Sequence, residues 1–393
     1  MQIVDKLKAS YFYIYLFWIL YSTAGIFTQK YPFIVNIILI ILTIPTIPSL
    51  LKRKFIAFIG IILSLFFLIN YLNYPETVTD LFGFIVRFIL VLSFVTYCYD
   101  KNIPIFKFLS RTVFVIACYS LITYVIFDTF SIIEPSRVEV VNTKPYHVYL
   151  GFHYHWQYAN WYGTLIARNN SIFWEPGVYQ IFLNFALLYN LFFSENKNLF
   201  TLTNIVLLLS IATTLSTTGI TVACVILFFK FMGKSKSYYS TMIKFMMFPA
   251  TLAIVVNVLT NVIKQKLEYG VTSFSLRTDD LLYGFYAFLE KPILGWGYWN
   301  FSGYEQFTGT INNSNGFIFL LFQLGVVGFS FYIFLILVVS KRILKQYSLK
   351  GVILFVIYIF ASMANEPIAY TNYIILFLCL GIYLLLNSKK AVI

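Results

Sequence analysis

The chain has 393 residues; 60% are hydrophobic, 20% aromatic and only 11% charged, and mean hydropathy is +0.81. A soluble globular protein is about 25% charged, so soluble-enzyme, secreted and disordered classes are excluded. Net charge is +13, from 28 Lys+Arg against 15 Asp+Glu. In so apolar a chain that excess is sorted by membrane side before it can mean a nucleic-acid partner.

A spanning helix needs roughly 20 apolar residues. Runs such as 62–69 and 331–339 are continuously apolar, without the two-residue alternation of barrel strands, and read as helices. Twelve spans are predicted, at 11–27, 33–51, 55–72, 81–97, 111–131, 171–193, 199–215, 217–233, 242–263, 315–340, 350–366 and 368–387. The expected class is an all-α polytopic membrane protein, a single integral domain over 1–393.

With this count the basic clusters fall on one side. They are Lys6 and Lys8, Lys52 to Lys54, Lys101 to Arg111, Lys234 to Lys244, Lys341 to Lys350, and Lys389 with Lys390. Basic short loops mark the cytoplasmic side, so both termini are expected there. No nucleic-acid partner is implied. The first apolar run is too long for a signal peptide and lacks a cleavage site, so it reads as an uncleaved anchor. Cys98, Cys118, Cys224 and Cys379 lie in or beside predicted helices, and disulfides are not expected.

Two long connections, 132–170 and 264–314, fall on the outer side, and loops of this length are usually functional. No phosphate-binding glycine loop and no dinucleotide fingerprint occur in the sequence. The first loop concentrates Tyr146, Tyr149, Phe152, Tyr154, Trp156, Tyr158, Trp161 and Tyr162 with all three histidines, His147, His153 and His155. It reads either as an aromatic belt at headgroup level or as a platform for sugar rings. A metal reading is weaker, because the H-x5-H-x-H spacing brings no cysteine or acid cluster. No metal or other cofactor is expected. The loop closes on Arg168-Asn169-Asn170-Ser171-Ile172-Phe173-Trp174-Glu175-Pro176. Plainly read, its end is a charged helix cap, with proline in the first turn.

The second loop carries Arg277, Asp279 and Asp280, then an amphipathic run from Leu281 to Leu289 and the turn Pro292 to Gly297. Asn312-Asn313-Ser314-Asn315-Gly316 leads into a helix with Gln323, Gly325 and Gly328. The plain readings are a surface ion pair of little value and an amide helix cap. Arg87 sits inside predicted helix four, where a charge is expensive and is a functional candidate by default. Its alternatives are an internal ion pair and snorkelling. Glu366-Pro367 reads as a turn and cap.

Arg168 through Ser171 to Glu175-Pro176 resembles the R-x-x-[GS]-x-x-x-E-P segment of bacterial O-antigen and capsular polysaccharide polymerases of the Wzy type. Leu215-Ser216-Thr217-Thr218-Gly219-Ile220 resembles that family's polar turn. Arg277 through Pro292 to Gly297 resembles its R…P-[IL]-x-G-x-G stretch. Asn312-Asn313-Ser314 through Gln323, Gly325 and Gly328 resembles its [HN]-N-S…[EQ]-x-G-[IV]-[IV]-G stretch. The likeness is good over roughly 165–330. The related O-antigen ligases carry a histidine where this chain has Asn312, a departure that favours polymerase.

The resemblance implies a GT-C-like membrane glycosyltransferase in the bacterial inner membrane, with its active site facing outward. A growing glycan on undecaprenyl pyrophosphate would pass to the non-reducing end of a new lipid-linked repeat. Partners are then the lipid-linked donor and acceptor, membrane lipid and a chain-length regulator protein. Arginine forks suit the pyrophosphate leaving group, which points to Arg168 and Arg277 as catalytic cations. The acceptor hydroxyl needs a base, and Glu175 comes first. Substrate-binding candidates are Arg87, His153, His155, Trp156, Trp174, Asp279, Asp280, Asn312 and Asn313. Asp279, Asp280, His153 and His155 are the alternative bases. A ligase-type glycan transferase and a lipid-linked sugar flippase remain the competing readings.

Overall fold

A computed structural model describes residues 2–72, 78–141, 144–151, 153–161, 164–232, 242, 260, 271–311 and 313–387. Apart from 242 and 260, the predicted span at 242–263 lies outside these residues. Among the described residues five helices are long and apolar enough to cross a membrane: Pro32–Lys52, Asp80–Asp100, Ile105–Thr129, Pro176–Phe193 and Gly316–Gln346. Shorter apolar helices cover Lys54–Leu68, Leu202–Thr213, Thr217–Phe231, Leu349–Asn365 and Asn372–Leu386. The protein is mostly helical and polytopic.

Local chemistry explains where the helices depart from the apolar runs. The run predicted at 33–51 tightens to a 3-10 turn at Ile44–Thr46, where Pro45 and Pro48 lack amide donors. The helix predicted from 171 starts only at Pro176, because Ser171 sits at φ 54 in a polar turn. The second long connection holds two helices, Val271–Glu290 and Ser302–Thr308.

The all-α reading is corrected in the first long connection. Strands β1 (Arg137–Val141), β2 (Lys144–Tyr149) and β3 (His153–His155) form an antiparallel sheet in that order. Strands β4 (Tyr158–Trp161) and β5 (Thr164–Ala167) form a separate hairpin. Tyr149 pairs with His153 and His147 with His155. Leu150 and Gly151, both at positive φ, turn β2 into β3. Aromatic residues favour pleated surfaces as much as lipid interfaces, and the strands are too short for their alternation to stand out.

The chain divides into two compact units: Met1–Leu109 with Arg277–Gln346 and Ser362–Ile393, and Ser110–Leu276 with Tyr347–Ala361. In the first, the helix Asn372–Leu386 is buried from Asn372 to Tyr383 and packs against Gln2–Ala24, Val78–Asp100 and Gly316–Gln346. A helix apolar on every face belongs in a core. Tyr99 stacks on Tyr383 at 4.4 Å and Tyr15 on Phe94 at 3.7 Å. At the start of that helix Asn372 Nδ2 donates to Ser22 Oγ at 2.7 Å.

In the second unit, Pro176–Leu188 is buried at every residue and packs against Leu202–Thr213 and Thr217–Phe231. The amide donors of Gln180 and Asn184 within it find buried acceptors, as buried polar groups require. Asn184 Nδ2 donates to Gln180 Oε1 at 3.0 Å and to Gly219 O at 3.1 Å.

Candidate functional site

In the second unit, β5 delivers Arg168 to the end of the helix Leu202–Thr213. Its Nε donates to Thr214 O at 3.1 Å and its Nη1 to Gln157 Oε1 at 2.8 Å. Asn169 continues the clamp, its backbone N donating to Thr213 O and its Nδ2 to Thr213 Oγ1, both at 2.9 Å. Asn169 Oδ1 accepts from Ser120 Oγ at 2.8 Å and from Ser171 N at 3.0 Å. Asn170 Nδ2 donates to Tyr154 O and Phe173 O. The segment around Arg168 and the polar turn that begins at Leu215 are thus one hydrogen-bonded assembly. Ser216 then caps Thr217–Phe231, accepting from Gly219 N at 3.3 Å.

Glu175 is the N-cap residue of Pro176–Leu188, but its side chain makes no capping bond. Its carboxylate lies 3.7 Å from Lys144 Nζ instead, and that ammonium sits 4.5 Å over the Trp156 ring. Trp156 Nε1 and Tyr146 OH both donate to Trp174 O, at 2.8 and 3.1 Å. One carbonyl therefore orients two rings, while Lys144 and Glu175 stay partly open to solvent. Burial, and secondarily Glu175, pushes the Tyr146 phenol up.

His153 and His155 are turned inward, 1% and 0% exposed. His155 Nδ1 lies 2.6 Å from Asp128 Oδ1 and its Nε2 2.6 Å from Gln157 O. His153 Nε2 lies 3.6 Å from Asp128 Oδ2 and its Nδ1 3.4 Å from Tyr119 OH. These imidazoles, substrate-binding candidates from the sequence, join the sheet to the last turn of the preceding helix. Asp128, not singled out from the sequence, is the residue they share. Burial, with Asp128 second, pushes the Tyr149 phenol up to about 12.

In the first unit, Arg277 keeps 42% of its side chain exposed. Its Nη1 donates to Asn365 Oδ1 at 2.7 Å, and its Nη2 lies 3.9 Å from Glu366 Oε1. Asn365 Nδ2 donates to Glu366 Oε1 at 2.9 Å. The Glu366-Pro367 turn, read from sequence as a cap, is therefore where Arg277 docks. Asp279 is exposed. Asp280 is buried and fully engaged: one carboxylate oxygen accepts from Tyr304 OH, the other from Ser314 N at 2.8 Å and from Ser314 Oγ. Asn313 Nδ2 donates to Asp280 O at 3.1 Å. Asp280 and Asn313, taken as substrate-binding from sequence, are here the joint between two chain segments. Asn312 lies outside the described residues. Burial, reinforced by Asp280, pushes the Tyr304 phenol up.

The glycine-rich turn has a structural role in the same unit. The helix Gly316–Gln346 breaks at Gly325, with φ 61 and ψ −172, a region only glycine occupies readily. The groups released by the break are taken up by the turn. Trp296 N and Gly297 N donate to Phe322 O and Gln323 O, both at 2.9 Å, and Val326 N donates to Pro292 O at 2.8 Å. Irregular backbone survives at membrane depth only when satisfied in this way. Arg87 is half-buried, its Nε donating to Gly83 O of its own helix at 3.2 Å. It lies beside the phenol of Tyr298, just past the turn; burial raises that phenol and Arg87 pulls it back.

Fold and site together define a polytopic membrane protein in which arginine, acid and amide side chains sit in hydrogen-bonded assemblies. Over residues 199–333 the chain is similar to the O-antigen ligase family. Its members are membrane glycosyltransferase-like enzymes. The matched stretch includes the polar turn, Arg277 and the Pro292–Gly297 turn with the broken helix; Arg168 and Glu175 precede it. No curated protein and no solved structure matches the chain.

Proposed function

We propose that the chain is a polysaccharide polymerase of the bacterial inner membrane, with about twelve spans and both termini in the cytoplasm. It passes the growing glycan from undecaprenyl pyrophosphate to the non-reducing end of a new lipid-linked repeat, outside the membrane. The observation that carries this reading is the setting of Arg277. Its guanidinium is fixed by a neutral amide, with the carboxylate of Glu366 at 3.9 Å and much of the side chain open. A cation so held suits the negative charge that grows on a pyrophosphate leaving group, and such stabilisation is usually the largest catalytic term. Arg168 is the second cation. Glu175, partly exposed and 3.7 Å from Lys144, is the base for the acceptor hydroxyl. Trp156, in the first long loop, and Arg87 serve substrate binding. No metal is required, and a chain-length regulator is the expected protein partner.

A glycan ligase is the second reading, favoured by the description of the matched family. Asn312, where ligases carry histidine, argues against it. The glycan profile of a deletion strain complemented with Arg168→Ala or Arg277→Ala separates the cases. The polymerase reading expects single repeats outside and at least 100-fold less long-chain polymer, the loss typical when one charge-stabilising donor is removed. Free polymer lacking its final anchor would mean a ligase, and repeats trapped inside a flippase. Long chains at the parent level would overturn the roles given to the arginines.

A further inference from the structure

Arg277 is held in a closed frame. It lies one helical turn before Asp280, whose carboxylate grips Ser314 through backbone and hydroxyl. Ser314 is followed by Asn315, whose Oδ1 accepts from Phe317 N at 3.0 Å and caps the next helix. Gly316 lies against the turn 363–368: a Cβ there would come within 2.6 Å of Glu366 O and 2.9 Å of Met363 O. That turn carries Asn365 and Glu366 back to Arg277. The frame thus runs from arginine to acid, amide motif, glycine and turn, and returns to the arginine.

Within it the Asn365 carboxamide sits between charges, accepting from Arg277 and donating to Glu366. A carboxylate paired bidentately with the guanidinium would use two of its donors and cancel most of its charge. Here the amide takes one nitrogen, and Glu366 acts from ion-pair distance. Among the described residues Nε and Nη2 of Arg277 have no hydrogen-bond acceptor, which leaves a defined edge of the fork for an anion. We infer that Asn365 and Glu366 are positioning residues that aim Arg277 at the pyrophosphate of a lipid-linked substrate, an inference that rests on the function proposed above.

The test uses the full chain in lipid nanodiscs, titrated with undecaprenyl pyrophosphate and separately with undecaprenyl phosphate. An aimed fork prefers the pyrophosphate, and the ratio of the two affinities is insensitive to a general loss of folded protein. Arg277→Ala removes the preference. Asn365→Ala lowers it about tenfold, in line with one hydrogen bond to a charged group, at unchanged melting temperature. Glu366→Gln keeps the shape, removes the charge and lowers the preference by less; it carries the test if Asn365→Ala fails to fold. Parent-like preference in both variants, with Arg277→Ala deficient, overturns the positioning roles alone. A parent chain without preference, or an Arg277→Ala chain that matches it, overturns the reading of Arg277 and this inference with it.

Discussion

At the scale of single residues, the buried carboxylate of Asp280 is the clearest case of an acid engaged in structure. It serves Tyr304 OH, Ser314 N and Ser314 Oγ at once. Asp280→Ala strands those donors, and an unsatisfied buried group costs about 1–3 kcal/mol. Thermal unfolding in detergent should show a loss of roughly 2–4 kcal/mol, with Asp279→Ala near the parent because Asp279 is exposed. Tyr304 adds a pH signature. Burial beside Asp280 raises its folded phenol above the ordinary tyrosine range, so the neutral form is favoured in the folded state. That contribution is complete below pH 10 and is lost as pH rises through the folded value. Tyr304→Phe should therefore flatten the alkaline limb of the stability profile; an unchanged limb would contradict the assignment.

At the scale of elements, the broken helix and the turn that stitches it form one device. At Gly325 a Cβ would lie 2.3 Å from Ile293 O, and at Gly295 2.4 Å from Gln323 O. Backbone meets backbone at both points, so no side chain can yield. Gly325→Ala should cost at least about 3 kcal/mol, combining strain with lost hydrogen bonds, and should be read as reduced folded yield and melting temperature. Gly309 is the control. It ends the helix Ser302–Thr308 at φ 66 with open space around it, so Gly309→Ala should cost only about 1 kcal/mol. The glycines were visible in the sequence as turn formers, but their shared purpose was not. Neither position shows by itself that a turn near 295 repairs a helix near 325.

At the scale of the whole molecule, the +13 charge reads as an orientation signal. Its basic residues concentrate in the loops predicted to face the cytoplasm, where they resist translocation. Reporter fusions active only outside the cytoplasm should light up after residue 150 and after residue 300. They should stay dark after residue 347 and at the C-terminus. A signal after 347 would move the helix Gly316–Gln346 out of the predicted topology.

How much was legible follows from range. Composition and apolar run length determined the membrane class and the helical character, because these are sums over neighbouring residues. Motif order likewise pointed to Arg168, Arg277 and the glycine turns. What only the tertiary structure decided is which group meets which. Arg277 finds Asn365 across 88 positions, Asp280 finds Ser314 across 34, and His155 finds Asp128 across 27. Local pattern records whether a side chain can be buried. The choice between facing substrate and facing an internal partner is made by the packing of distant segments, which turned His153, His155 and Asp280 inward and left Arg277 at the surface.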